Sequence, residues 1–257
     1  MLNHLRIINN NLFQVHSLSQ NEFERLYISL RKKEGRYFTE NEIARLPKVD
    51  HSHPLFKEWK IRKKSCDHLL HYIKKQGRIC NILEVGCGNG WLTAQLALIT
   101  KGTVTGIDVN RAELKKAKKV FQKRAHINFV YGDIRSGILS DQKFDLILFA
   151  ASIQYFKSLK EIVNTALQHL TLQGEIHFLD SPFYAIEEVF PARQRTRKYF
   201  SELGFPQMSK YYFHHRLCDL KPYNYKILHN PHSWISKLIF RKNPFYWIVI
   251  QNKYGDV

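Results

Sequence analysis

An apolar run that closes on an acid and then breaks into glycines at every second position leaves a chain few folds to choose from. Residues 81–92 read NILEVGCGNGWL, with Glu84 in the run and Gly86, Gly88 and Gly90 after it. A glycine turn after a strand lets backbone approach a bound nucleotide closely. A dinucleotide fingerprint needs G-x-G-x-x-G, but here the third glycine arrives one residue early and Trp91 fills the position that rule demands. A Walker loop needs G-x-x-x-x-G-K-[ST], and nothing in the chain resembles it. The pattern present is E-x-G-x-G-x-G.

From about residue 79, strand-like and helix-like segments alternate. ICNILEVG (79–86), TVTGIDVN (103–110), INFVYGDI (127–134), FDLILFAAS (144–152) and EIHFLDS (175–181) have the apolar, β-forming content of buried strands. WLTAQLALIT, the lysine-rich RAELKKAKKVFQKRAH (111–126) and SLKEIVNTALQHL (158–170) have helical spacing, and Gly174 is expected just past the last of these. In the lysine-rich helix the apolar stripe is Leu114, Ala117, Val120 and Phe121. YNYKILHN and FYWIVIQN predict two further strands near the C-terminus. Such alternation implies a parallel sheet with helices on both faces, joined by right-handed crossovers. Residues 1–78 read differently, as a helical extension packed on the sheet domain of residues 79–257. Its helices are expected in QNEFERLYISLRKKEG and HPLFKEWKIRKKSCDHLLHYIKKQG, with Pro47 and Pro54 bracketing a break and Gly77 ending the second helix.

Over about residues 81–181 the chain resembles the class I S-adenosylmethionine-dependent methyltransferases, in particular the small-molecule type found in ubiquinone and menaquinone biosynthesis (methyltransferase type 11). The resemblance rests on the glycine turn, on Asp108 eighteen residues after Gly90, on YGDI after the third strand and on FAASIQYF after the fourth. It implies a Rossmann-like, doubly wound, seven-stranded α/β sheet, mostly parallel with an antiparallel C-terminal strand. It also implies S-adenosyl-L-methionine as cofactor. Gly86, Cys87, Gly88 and Gly90 would meet the methionine portion, with Glu84 orienting its ammonium. Asp108, beside Val109, would accept the ribose hydroxyls, Asp133 would meet the adenine amino group with Ile134 against the ring, and Ala150 belongs to the segment passing under the sulfonium.

Methyl transfer from a sulfonium requires alignment and exclusion of water more than it requires a base. Tyr155 is expected to line the site, at a position where the family often carries histidine; Asp180 and Tyr184 follow the fifth strand on the same side, and His177 inside that strand is expected to face a helix. No general base is assigned. Asp50, His51 and His53 lack a second cluster of ligands, so no metal is assigned either. The loop PKVDHSHP is instead expected to close over the pocket as part of a lid spanning residues 36–62, and Phe56 and Trp59 to pack on the sheet domain. DSPFY (180–184) resembles the D/N-P-P-Y motif of base-methylating enzymes only superficially, since it lacks one proline and follows the wrong strand. Residues 183–220 are expected to form much of the acceptor's pocket wall.

Composition bounds the rest. The 257 residues, 44% hydrophobic and 13% aromatic, suffice for one large α/β domain with an appendage. No apolar run approaches the roughly 18 residues of a membrane span, and the first residues lack the pattern of a secretory signal. Four cysteines without metal spacing read as reduced thiols of a cytoplasmic protein. The formal charge of +18 and the runs RQRTRKYF and LIFRKNPFYW keep an RNA or DNA methyltransferase as the alternative, and a non-catalytic scaffold is a third reading. Scattered lysines on helices favour a solvated surface and a small-molecule acceptor. RNA binding measured by fluorescence anisotropy should therefore be weak, indifferent to sequence and largely lost between about 50 and 200 mM salt. Tight, salt-resistant binding to one RNA would put the nucleic-acid reading first.

Overall fold

The computed structural model describes residues 6–7, 13–14, 18–233 and 243–252. Among the described residues one sheet runs through β1 (Arg6–Ile7), β2 (Phe13–Gln14), β3 (Ile82–Val85), β4 (Val104–Asp108), β5 (Ile127–Tyr131), β6 (Phe144–Ala150), β7 (Leu170–Ser181), β8 (Tyr225–His229) and β9 (Tyr246–Gln251). The strands lie in the order β1-β2-β5-β4-β3-β6-β7-β9-β8. The chain enters at the central β3, winds outward through parallel β4 and β5, returns to β6 beside β3 and winds the other way to β7. β9 is the antiparallel strand, paired on both sides with β7 and β8. The seven expected strands are β3 to β9, doubly wound as expected. Reversal of direction between β3 and β6 opens a crevice at the carboxyl ends of the strands, where open α/β sheets bind ligands.

Both faces of the sheet are covered, which is why its strands are continuously apolar. In β6, Leu146, Ile147, Leu148 and Phe149 have no exposed surface, and each such side chain contributes about 1.5–3 kcal/mol through burial. Alternate residues go to opposite layers. Leu83, Val85, Ile147 and Phe149 pack under Ile162, Val163 and Ala166 of α6 (Leu159–Gln168). Ile82, Leu146 and Leu148 pack under Cys66, Leu69 and Ile73 of α3 (Phe56–Gln76). Leu114, Ala117 and Phe121 of α5 (Arg111–Phe121) meet Phe129 and Tyr131, while Lys115 and Lys119 face solvent. The expected helix after the glycine turn is α4 (Trp91–Leu96).

The extension holds α1 (Leu18–Lys33), α2 (Glu40–Arg45) and α3, the last ending at Gly77 as expected. It is not wholly helical: β1 and β2 form a short hairpin that joins the edge of β5 through the pair Gln14↔Tyr131. Helix α2 was hidden among charged residues, although Thr39 and Glu42 form a capping box across its first turn. A second difference concerns β7, which begins at Leu170, so that Gly174 lies inside the strand and not in a loop before it. The pairing jumps from Phe144↔Leu170 to Leu146↔Glu175, and this bulge absorbs the extra residues. His177 faces α3 as expected, its ring 5.2 Å from that of Tyr72 and its Nδ1 accepting from Trp247 Nε1 at 3.1 Å. The basic run at 193–200 falls on α7 (Val189–Glu202); residues 238–242 of the run at 238–247, and most of the N-terminal stretch, lie outside the described residues.

Gly90 shows what its place in the turn demands. Its φ is +73°, and a Cβ there would sit 2.6 Å from the Phe129 ring and 2.9 Å from the Ala117 methyl. Gly90→Ala combines overpacking with left-handed strain and should destabilise the fold by about 2–4 kcal/mol. Urea unfolding checks this, and an unchanged midpoint would mean that α4, α5 and β5 are not packed so closely.

Candidate active site

Three adjoining cavities occupy the carboxyl ends of the strands. The first, about 110 Å³, is framed by Glu84, Gly86, Cys87, Gly88 and Trp91 of the turn, by Ala150 and Ala151 after β6, and by Tyr27, Arg31, Arg36 and Trp59 of the extension. The second, about 70 Å³, is lined by Asp108, Val109, Asp133 and Ile134, closed by Phe23, Tyr27 and Tyr155. The third, about 510 Å³, lies between Arg31, Gln154, Tyr155, Asp180 and the face of α7 that carries Arg195, Thr196, Tyr199 and Phe200. Ala151 borders all three and has φ +53°, a left-handed backbone that residues with a Cβ seldom adopt.

Most of the residues singled out in the sequence meet here. Asp108 Oδ2 accepts from Gly88 N–H at 2.7 Å and its Oδ1 from Asn110 N–H at 2.7 Å. Burial pushes this carboxyl up to about 6, although the backbone donors pull the other way. Glu84 accepts the Thr93 hydroxyl at 2.5 Å, and burial carries it to about 8, with the Thr93 bond opposing and Asp108 adding repulsion. A Cβ on Gly88 would meet nothing within 4 Å, so that position opens onto the cavity. Cys87 is buried there too, which raises its thiol and makes it a packing group, not a nucleophile. Asp133 caps the turn at Ile134–Ser136 and pairs with Arg135 at 2.6 Å. Tyr155 accepts from Arg31 Nη2 at 3.0 Å, with the rings of Phe23 and Tyr27 at 5.6 and 5.7 Å.

Other expectations need correction. Gly90 lines none of these three cavities; its closeness serves helix–strand packing. Tyr184 does not face them either, and pairs with Arg216 and the His214 ring. Pro47, Lys48, Val49 and Asp50 border a separate hollow beside α3, so the loop PKVDHSHP is not what roofs the strand tips. The roof is α1, residues Arg36 and Phe38, and the first turns of α3. Trp59 packs against Trp91 as expected of a core contact but also borders the first cavity. His51 stacks on Phe56, His53 Nδ1 accepts from Leu55 N–H, and no group of three or more metal-binding side chains occurs among the described residues.

Only the fold brings Glu24 and Glu113 to the site, and it adds to what the sequence assigned to Trp59 and Asp180. Glu24 of α1 accepts from Ala112 N–H at 3.1 Å, which anchors the roof to the start of α5. Trp59 Nε1 and Glu113 Oε2 are buried at the first cavity with no hydrogen-bond partner among the described residues. Orphans of this kind cost about 1–3 kcal/mol each unless a ligand satisfies them. A free donor beside two buried carboxyls, Glu84 and Glu113, is a donor set suited to an amino-acid carboxylate and ammonium. Asp180, φ +52°, takes the Ser65 hydroxyl at 2.5 Å, and burial raises its carboxyl.

Residues 82–174 match the family model described as a methyltransferase domain. The chain is 26% identical over 142 residues to the malonyl-[acyl-carrier protein] O-methyltransferase of Bacillus cereus, covering 54% of this chain and 52% of that protein. It is 30% identical over 138 residues to nodulation protein S of Sinorhizobium fredii, covering 49% of this chain and 62% of that protein. The chain thus spans about half the length of the first of these relatives. Among solved structures it shares its fold with the plantazolicin methyltransferase BpumL bound to a triazolic desmethylPZN analog and SAH (TM-score 0.55, 18% identity, 91% of this chain and 99% of that one). It also shares it with geranyl diphosphate C-methyltransferase from Streptomyces coelicolor (TM-score 0.60, 10% identity, 92% and 98%).

The buried acids make stability depend on pH with a definite sign. Glu84 titrates higher in the folded chain than unfolded, so its contribution is fullest below its unfolded value and is lost as pH rises through about 8. Glu84→Gln removes that loss. Relative to the parent protein it should be near neutral at pH 5 and more stable by about 1–3 kcal/mol at pH 8, measured by urea unfolding. A difference that does not grow with pH would show that Glu84 is not held protonated.

Proposed function

We propose that this chain, whose residues 82–174 form a methyltransferase domain of the class I type, moves a methyl group from S-adenosylmethionine to a small-molecule acceptor by in-line displacement. The observation that carries the reading is the meeting, in joined cavities, of groups for each part of that cofactor. Glu84, Glu113 and Trp59 suit its amino-acid end, with Gly86, Cys87 and Gly88 giving backbone access. Asp108 takes the ribose hydroxyls beside Val109, Asp133 and Ile134 hold the adenine, and Ala150 and Tyr155 flank the route to the acceptor. When bound, the cofactor supplies an activated methyl group on sulfur. The chain aligns the reactants and keeps water out, and the roof from α1 and α3 is what excludes it.

Residues 1–78 act in this reading as a cover on the catalytic unit of residues 79–257. An acceptor space walled by both the extension and α7 suits a small molecule better than a polymer, and four free cysteines suit a reducing, cytoplasmic setting. No helix among the described residues is long and apolar enough to cross a membrane.

Calorimetry with S-adenosylhomocysteine tests the proposal. Asp108→Ala should weaken binding by about 2–4 kcal/mol, since hydrogen bonds to a charged group are worth about 1.5–3 kcal/mol each and do not add fully. Binding favours the ionised forms of Asp108 and Glu84, so affinity in the parent protein should rise from pH 6 to pH 8 with release of protons, then level off. Unchanged affinity in a folded Asp108→Ala protein would remove the assignment.

A further inference from the structure

The third cavity contains two features that cofactor binding does not use. Gln154 is 7% exposed; its Nε2 donates to the Ala151 carbonyl at 2.7 Å, while its Oε1 is buried with no partner among the described residues. The amide is thereby held at the Ala151 junction with the cofactor cavities, and its carbonyl oxygen, covered in this packing, has no donor. On the α7 face that lines the cavity, Arg195 is exposed at the cavity's rim and has neither an ion pair nor a hydrogen bond among the described residues. The other guanidinium groups of this cavity are satisfied: Arg31 pairs with Glu34 at 2.8 Å, Arg36 with Glu34 at 3.1 Å and Glu58 at 2.6 Å, and Arg62 with Glu58 at 3.0 Å. Asp180 is likewise occupied by Ser65. Those three guanidinium groups share two carboxylates, Glu34 and Glu58, so the cavity is cationic, and Arg195 lines it without an ion pair, together with Gln154 and walls of Tyr155, Phe200 and Tyr212.

We propose that this cavity takes an acceptor with an anionic group, a carboxylate or a phosphate, held by Arg195, and a hydroxyl or N–H donated to Gln154 Oε1 beside Ala151. The inference rests on the methyltransferase reading, because that reading makes the Ala151 junction the place where methyl enters. A planar guanidinium binds either anion through paired hydrogen bonds, and such charge-assisted bonds are about twice as strong as neutral ones. The aromatic walls favour a flat or apolar body between the two polar ends. The Gln154 carbonyl selects for a protic acceptor, since a ligand without a donor would leave it unpaired.

The test uses the full chain saturated with S-adenosylhomocysteine and a panel of probes read by calorimetry or ligand-observed NMR. The panel holds aromatic and aliphatic hydroxy-carboxylates, the corresponding hydroxy-phosphates, their neutral hydroxy-amides and the carboxylates without hydroxyl. At least one hydroxylated anion should bind about ten-fold or more tighter than its amide, the discrimination expected of one charge-assisted contact. Arg195→Ala should erase that preference and leave S-adenosylhomocysteine affinity unchanged, whereas Arg195→Lys should keep part of it. Gln154→Leu should erase the preference for the hydroxylated member of a pair. The ranking of carboxylates against phosphates identifies the anion. Equal binding of anions and amides, a preference that survives Arg195→Ala, or binding of S-adenosylhomocysteine with no binding of any probe would overturn the proposal. Failure of the parent protein to bind S-adenosylhomocysteine at all would instead bring down the methyltransferase reading, and this inference with it.

Discussion

The bond from Gly88 N–H to the Asp108 carboxylate, 2.7 Å long, ties the glycine turn after β3 to the tip of β4, and the site's shape depends on it. Gly86 N–H and Cys87 N–H both donate to the Ile107 carbonyl, at 2.8 and 3.2 Å, and fold the turn down onto β4. From the other side Ser152 Oγ donates to the Val85 carbonyl at 2.6 Å, which pins the segment after β6 to the same turn. Three strand tips are thereby fixed to one another before any ligand arrives, the preorganisation that binding and alignment require.

That arrangement is held at some cost in stability. Glu84 and Glu113 are buried acids and Asp108 a half-buried one, their environment disfavours their charge, and burial lifts Glu113 to about 7. A chain selected for stability alone would place amides or apolar groups there, and the tension between stability and activity at binding sites is general. Arg31 is the hinge of this packing: it pairs with Glu34, donates to Tyr155 and lies 4.7 Å from the centre of the Tyr27 ring, so it joins the extension to the loop after β6.

The excess of positive charge separates into two kinds once the fold is known. Lys115 and Lys119 lie on the solvent face of α5, and Arg193 and Arg197 on that of α7, as expected of a solvated basic surface. Arg195 is exposed as well, but helical spacing brings it with Thr196 and Tyr199 to the wall of the third cavity. Net charge described the surface and was silent about this one residue, since composition has no direction in space.

The sequence by itself determined the α/β class, the seven main strands, the glycine turn and the acids at the strand tips. Each is a local matter: apolar runs, turn glycines and residue spacing act over a few neighbours, so they are legible in a linear string. It could not show that α1 is the roof, that Gly90 packs and Gly88 opens, or that Gln154 and Arg195 face one space. Glu24 meets Ala112, Arg31 meets Tyr155 and Ser65 meets Asp180 across separations of 88, 124 and 115 residues. Only the tertiary structure decided these, because contacts at such distances are chosen by how whole layers pack, and no local preference encodes which distant side chain will lie opposite.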